Sequence, residues 1–321
     1  MSNDSFPLAY AAYNNDINTR MSSTSGGIFT IVAEYLIESQ GAIVYGAAFD
    51  DSFNVRHIRV DSKEKLYKLR GSKYPQSMVG DCYKQAKIDL KSGKTVLFVG
   101  TPCQIAGLKR FLQAEYEKLY TMDFVCHGVA SDLLWREYVA DLKRKKGKIN
   151  NIVFKYKYKG WKKWYFRVEY ENGVAQRRGH LTRFMLSYLS NVNVRPSCYE
   201  CRFKGIDRLS DFTISDCWGI AENDKEINDD LGLSALLLHN EKALCVFNNI
   251  SDKMTVKEYD VHELMDGNWT TFSSIPKPEM RELFFKMAKD KTGIYALNRY
   301  FSPRIKDWLR YYCQRMRGNE R

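Results

Sequence analysis

The run from Val96 to Leu112, VLFVGTPCQIAGLKRFL, constrains the fold more than any other stretch of this chain. It opens with four apolar residues, Val96-Leu97-Phe98-Val99, breaks at Gly100-Thr101-Pro102, and resumes with Ile105, Leu108 and Leu112 at helical spacing. A short continuous apolar run bounded by turn residues reads as a strand buried on both faces. Pro102 suits a first helical turn, where its missing N–H is not needed. The segment therefore predicts a strand, a tight turn and a helix whose N–H groups face the carboxyl end of a sheet. That corner favours an anion or a thiolate, and one thiol, Cys103, stands there. A buried cysteine acting as a small hydrophobe is the alternative.

The same rhythm recurs. The small-residue turn MSSTSGG (Met21–Gly27) leads into a helical stripe of Ile28, Ile31, Val32, Tyr35 and Leu36. Residues 42–49 read as a strand, and the alternating Val55–Val60 as its pairing partner. Helices are predicted over 80–91, after Cys103, and over about 132–144; LYTMDFVCHG (Leu119–Gly128) reads as the next buried strand. From Asn150 the texture changes to an aromatic and basic hairpin, NIVFKYKYKGWKKWYFRVEYENG, then a helix at 181–190. A Cys-rich, turn-rich segment follows, then a core strand within 233–240 and a helical stretch from about Pro278. The expected fold class is α/β: a mixed sheet core with flanking helices, a Cys-rich irregular segment and a helical C-terminal region. The expected division is a core over 1–240 and a helical extension over 241–321 packed on it.

Charge and targeting narrow the setting. The 321 residues carry 50 Lys and Arg against 38 Asp and Glu, a formal charge of +12. The excess is spread over KLRGSK, LKRKKGK, KYKYKGWKK and the tail, which points to an anionic ligand or a generally basic surface before a nucleic-acid arm. No apolar run approaches the roughly 20 residues of a membrane span. The first residues lack a basic start with an apolar block, so the chain is expected in the cytoplasm. There, eight cysteines point to ligands before a disulfide framework.

Cys198 and Cys201 form a CxxC, the spacing by which two sulfurs reach one metal or cluster. Cys103 and Cys126, both at predicted carboxyl ends of strands, are the natural completing pair. Four thiolates hold either zinc or an iron–sulfur cluster; two ligands isolated on sheet-edge turns favour the cluster, because compact zinc modules bring two close pairs together. Cys82, Cys245 and Cys313 fall in predicted helices and read as buried small residues. Cys217, near the CxxC segment, is open to a supporting or substitute role.

Together, RMSSTSGGIFT, GSKYPQS, VLFVGTPCQIAGLK, MDFVCHGVAS, RPSCYEC and SDFTISDCWG resemble the coenzyme F420 hydrogenase/dehydrogenase beta-subunit family over about residues 20–240. The resemblance implies an iron–sulfur flavoprotein oxidoreductase with a [4Fe–4S] cluster on Cys103, Cys126, Cys198 and Cys201, and a flavin, FAD before FMN. Ser25, Gly26 and Gly27, opening a predicted helix, then offer N–H groups to the flavin phosphates. Ser72, Lys73 and Tyr74 supply a cation and hydroxyls, and Lys73 is expected near the ring or phosphate as a catalytic charge. Gly100, Thr101, Pro102 and Gln104 surround Cys103 and are expected against flavin and cluster. His127, beside Cys126, is expected to tune the cluster or relay a proton. Asp211 and Asp216 are read as ordering the turn after the CxxC.

No cysteine precedes Cys82, whereas many relatives carry a ferredoxin segment ahead of this region. Electrons are therefore expected from a separate ferredoxin-like partner, a reduced deazaflavin or nicotinamide, or a substrate. The chain resembles a short bacterial branch of the family, whose association suggests an acceptor in polysaccharide or cell-surface glycan biosynthesis, such as a sugar nucleotide. The competing reading is a zinc-stabilised binding protein whose stretch FKYKYKGWKKWYFR stacks on nucleic-acid bases or sugars. The tail RIKDWLRYYCQRMRGNER, with Ile305, Trp308, Leu309 and Tyr312 on one side, is expected to pack on the body, with contact to an anionic membrane surface as the alternative.

Overall fold

The computed structural model describes residues 6–302, so Cys313 and the amphipathic tail lie outside the described residues. Its strands are β1 (Leu8–Asn14), β2 (Ile43–Phe49), β3 (Val55–Val60), β4 (Val96–Val99), β5 (Leu119–Phe124), β6 (Ile149–Tyr156), β7 (Tyr165–Tyr170), β8 (Gly173–Arg178), β9 (Phe212–Asp216), β10 (Ser234–Leu238) and β11 (Met254–Glu258). The helices are α1 (Ile17–Ser22), α2 (Ile28–Gln40), α3 (Cys82–Lys91), α4 (Pro102–Leu112), α5 (Asp132–Lys146), α6 (Arg183–Leu189), α7 (Trp218–Asn223), α8 (Glu241–Asn248), α9 (Val261–Met265), α10 (Met280–Asp290) and α11 (Gly293–Phe301).

Eight strands form one mixed sheet in the order β11-β1-β10-β9-β5-β4-β2-β3. Its centre, β2-β4-β5-β9, is parallel, and both flanks are antiparallel. Both faces are covered, which is why β2 and β4 read as nearly continuous apolar runs. Val44 and Leu97 pack under α2 and α8, while Ile43, Tyr45, Val96 and Phe98 pack under α3 and α4. A second sheet, β6-β7-β8, is covered by α5, α6, α10 and α11 around Trp135, Phe154 and Phe184. The chain is thus α/β with a mixed core sheet and helices toward its C-terminal end, and the 42–60 pair, the 96–112 unit and the 119–124 strand form as the sequence predicts. No helix among the described residues is long and apolar enough to cross a membrane.

Three elements depart from expectation. β8 extends the 150–173 hairpin to a three-stranded sheet; its residues GVAQRR are mostly exposed, so no apolar alternation marked it. β1 is rich in alanine and lies between β10 and β11. β11 falls after residue 240, so the region expected to be a helical extension also contributes a strand to the main sheet.

The aromatic-basic stretch turns inward. Phe154 and Trp161 are fully buried, and Trp161 stacks on Trp218 at 4.4 Å. Buried Lys157 donates from Nζ to the carbonyls of Arg20, Ser25 and Leu231 at 2.6–2.8 Å. These side chains join β6 to the 20–25 turn and to the end of the main sheet, rather than forming an open stacking face.

Candidate functional site

Cys103 lies on the first turn of α4, at the carboxyl end of β4, and Cys126 stands two residues past the end of β5. Those strands are adjacent and parallel, so the two thiols share one rim of the sheet. Cys198 and Cys201 come from the irregular segment after α6. The Cys198 N–H donates to Arg195 O at 3.0 Å, and the Cys201 N–H to Ser274 Oγ at 2.9 Å. All four cysteines line one small cavity of about 60 Å³, with Arg195, Lys204 and Arg208 on the same wall. Lys204 Nζ donates to Cys126 O at 2.8 Å and Thr270 O at 2.7 Å, tying the CxxC turn to the loop after β5. Burial pushes the Cys126 thiol up to about 12, reinforced by Cys198 and opposed by Lys204. Burial also raises Cys198. A coordinating metal removes such protons outright. No three His, Cys, Asp or Glu side chains among the described residues are placed to hold a single metal ion.

All seven described cysteines are free thiols. Cys82 is buried, as expected, but Cys245 is exposed: α8 turns Ala243, Val246 and Phe247 to the core and leaves Cys245 outside that stripe. Cys217 is buried among Trp161, Ile220 and Leu233, away from the four-thiol cavity.

A second cavity, of about 500 Å³, opens beside the first, within the usual range for cofactor sites. The two share Thr101, Cys126, His127, Gly128 and Val129. One end of the larger cavity is polar and cationic. It is lined by Ser23, Thr24, Ser25, Gly27, Arg70, Ser72 and Lys73, with the N-terminus of α2 opening onto it. The two loops there are laced together. Arg70 donates to Ser22 Oγ at 2.8 Å and to Thr30 Oγ1 at 3.2 Å, and the Ser72 N–H donates to Thr24 Oγ1 at 2.8 Å. Lys73 Nζ is held by the carbonyls of Leu69, Arg70 and Gly71 at 3.1–3.3 Å, and burial pushes its pKa down to about 7.

Trp164, Tyr188, Trp218 and Trp269 make the rest of the lining aromatic, and Lys155 and Asp216 stand between these rings and the polar end. Lys155 Nζ donates to Asp216 Oδ2 at 2.5 Å, and the Ser25 hydroxyl donates to Asp216 Oδ1. Tyr74 packs against Phe154 and Tyr188, and burial raises its pKa. His127 places Nε2 2.7 Å from Asn191 Oδ1, and burial lowers its pKa. In the neutral ring Nε2–H donates to that amide oxygen and Nδ1 is left as an acceptor. His57, stacked on Phe98 and bonded to Ser77 Oγ and Val99 O, completes the inner wall.

Of the residues expected at a cofactor, Ser25, Gly27, Ser72, Lys73, Tyr74, Gly100, Thr101 and Gln104 line the large cavity, and Pro102 lines the small one. Gly26 stands beside the large cavity rather than on its wall. Its N–H donates to Ser234 Oγ at 2.9 Å, and a Cβ there would meet Ala12 O at 2.4 Å, so the glycine lets the turn press against the sheet. Gln104 also closes the α4 cap, its Oε1 accepting from the Thr101 N–H at 3.0 Å. Asp216 belongs to the cavity, whereas Asp211 clamps β5 to β9 by accepting from Thr121 N–H and Oγ1. Sequence reasoning missed Arg70, His57, Lys155 and the three tryptophans. None of these carries a local signal, because each is brought to the cavity by packing between segments distant in sequence.

Two thiols on the parallel sheet rim and two on the CxxC turn thus border one small cavity, beside a larger one whose lining combines cations, hydroxyls and aromatic rings. Residues 9–83 match the N-terminal part of the coenzyme F420 hydrogenase/dehydrogenase beta subunit, and residues 93–263 match its C-terminal part. The chain belongs to the coenzyme F420 hydrogenase/dehydrogenase beta-subunit family. Over 120 residues it is 31% identical to the coenzyme F420-dependent sulfite reductase of Methanocaldococcus jannaschii; that stretch is 36% of this chain and 18% of the relative. Its fold is similar to that of a chain in the F420-reducing [NiFe] hydrogenase complex from Methanosarcina barkeri. The TM-score is 0.53 at 19% identity, covering 89% of this chain and 88% of that one.

Proposed function

We propose that the chain is a flavin- and [4Fe–4S]-dependent oxidoreductase that passes electrons between an external donor and a small-molecule acceptor. The observation that carries this reading is the shared wall: five residues, Cys126 and His127 among them, border both the four-thiol cavity and the large cavity. Cys103, Cys126, Cys198 and Cys201 would hold the cluster. A single zinc needs its sulfurs about 3.8 Å apart, from tetrahedral bonds of about 2.3 Å. The four described thiols share one cavity, two from sheet-edge turns and two from the CxxC turn, which is the ligand pattern that favours a cluster.

The charge and shape of the large cavity support FAD. Arg70, Ser25, Ser72 and the α2 N-terminus suit a diphosphate arm, and the aromatic end suits a flat ring. When bound, a flavin supplies one- and two-electron chemistry. The protein's own part is to orient the ring beside the Cys126 wall, to keep water from it with Tyr188, Trp164 and Trp218, and to hold a proton acceptor at His127 Nδ1. The donor is a ferredoxin-like protein or a reduced deazaflavin or nicotinamide. The F420 named in both relatives makes that deazaflavin the first to try, and sugar nucleotides are the first acceptors to screen.

Replacing Cys103 or Cys126 by Ser tests the assignment. Each variant should lose most of its iron while flavin stays bound. Iron content equal to that of the parent in both variants would remove these thiols from the ligand set.

A further inference from the structure

The large cavity contains a buried ion pair that the reading above does not use. Lys155, on β6, reaches across to Asp216 at the end of β9, and their side chains are 10% and 13% exposed. Buried pairs of this kind add little stability, because taking two charges out of water offsets their attraction. A pair kept on a cavity wall is therefore a candidate for function. Its surroundings are built to hold it. The Lys155 ammonium is 5.1 Å from the Trp218 ring and 5.8 Å from the Trp164 ring. Trp218 is fixed by Trp161, and Trp164 by the absence of a side chain at Gly179, where a Cβ would stand 1.5 Å from its ring. Burial pulls the ammonium down, but Asp216 outweighs it and keeps Lys155 charged. Lys73, by contrast, directs its N–H groups to three backbone carbonyls of its own loop.

We infer that the Lys155–Asp216 pair sets the charge balance beside a ring bound against the tryptophans of this cavity, Lys155 favouring and Asp216 opposing its reduced, anionic form. The inference rests on the flavin reading above. A neutral ring is indifferent to the pair's net charge of zero, but removing either member leaves a bare charge in a low-dielectric wall, where it acts strongly on a charged ring. The two removals must act with opposite sign.

The test is the midpoint potential of flavin in the purified full-length protein, compared with Lys155→Met, Asp216→Asn and Lys155→Arg. Lys155→Met should weaken binding of reduced relative to oxidised flavin at least tenfold, about 30 mV downward for a two-electron couple. Asp216→Asn should shift it upward by a similar factor, and Lys155→Arg should stay within threefold of the parent. A pair that serves only structure would lower flavin occupancy in both variants without moving the two potentials apart. Normal flavin binding with potentials unchanged, or moved in the same direction, overturns this inference alone. A parent protein that binds no flavin overturns the reading beneath it as well.

Discussion

Gly128 lies against Cys198: a Cβ at Gly128 would stand 3.3 Å from the Cys198 Cβ and 2.6 Å from Val194 Cγ1. The backbone there also has φ 150°, a conformation that side chains rarely adopt. The glycine after Cys126 and His127 is therefore what lets the CxxC turn close over the sheet rim. Gly128→Ala should destabilise the protein by about 2–4 kcal/mol, from overpacking and backbone strain. It should also reduce iron content, because Cys198 moves. Denaturation midpoint and iron per chain check both effects, and a variant with parental values in each would show that the close approach is not needed.

Lys157 is the counterpart at the other end. Its three N–H groups are taken up by the carbonyls of Arg20, Ser25 and Leu231. Lys157→Met leaves three carbonyls without that donor and frees the Ser25 turn. A loss of about 3 kcal/mol is expected, since each buried unsatisfied group costs about 1–3 kcal/mol and the turn relaxes in part. Urea unfolding measures it, and a loss below 1 kcal/mol would contradict the account.

Arg70 provides the cation at the polar end. Arg70→Met should weaken FAD binding about tenfold to a hundredfold, the equivalent of one or two charge-assisted hydrogen bonds. Riboflavin, which has no phosphate, should bind the parent and the variant alike. Fluorescence titration with both ligands separates the outcomes: equal weakening for riboflavin would place Arg70 away from the phosphates.

Stability should fall as the solution is acidified from pH 6.5 toward 4. Burial lowers His57 to about 4, and burial with Arg208 does the same for His239. The unfolded chain takes up protons at both rings near the usual 6.5, while the folded chain resists them until about 4, so acid favours unfolding across that window. Asp123 opposes this. Burial raises it to about 6, so it is protonated in the folded chain before it is in the unfolded one, and it offsets about one histidine. The net loss by pH 4 is on the order of 3 kcal/mol. Thermal midpoints at pH 7 and pH 5 measure the drop, and His57→Gln should flatten it.

What was legible in the sequence follows from how strongly each element marks its own surroundings. The 96–112 unit carries its strand, turn and helix in unbroken order, because β4 is buried on both faces and α4 on one. The four thiols could be paired from sequence because Cys103 and Cys126 each follow a recognisable parallel strand. Lys155 and the tryptophans were hidden for the opposite reason. The stretch holding Lys155 and Trp164 has the alternation of an ordinary half-solvated hairpin, only the packing of β6 across the end of β9 turns Lys155 toward Asp216, and Trp218 and Trp269 come from distant segments that meet this cavity only in the fold. β11 was hidden because its outer residues are exposed and it pairs with a strand some 240 positions earlier.

If one wall separates a cluster from a flavin, both groups should be found in the same molecule. Anaerobic purification, a visible spectrum before and after dithionite, and iron, zinc and flavin assays on the same sample decide this. About four irons and one flavin per chain are expected, with a flavin band and a broad shoulder that both bleach. A colourless protein holding one zinc and no flavin would contradict it.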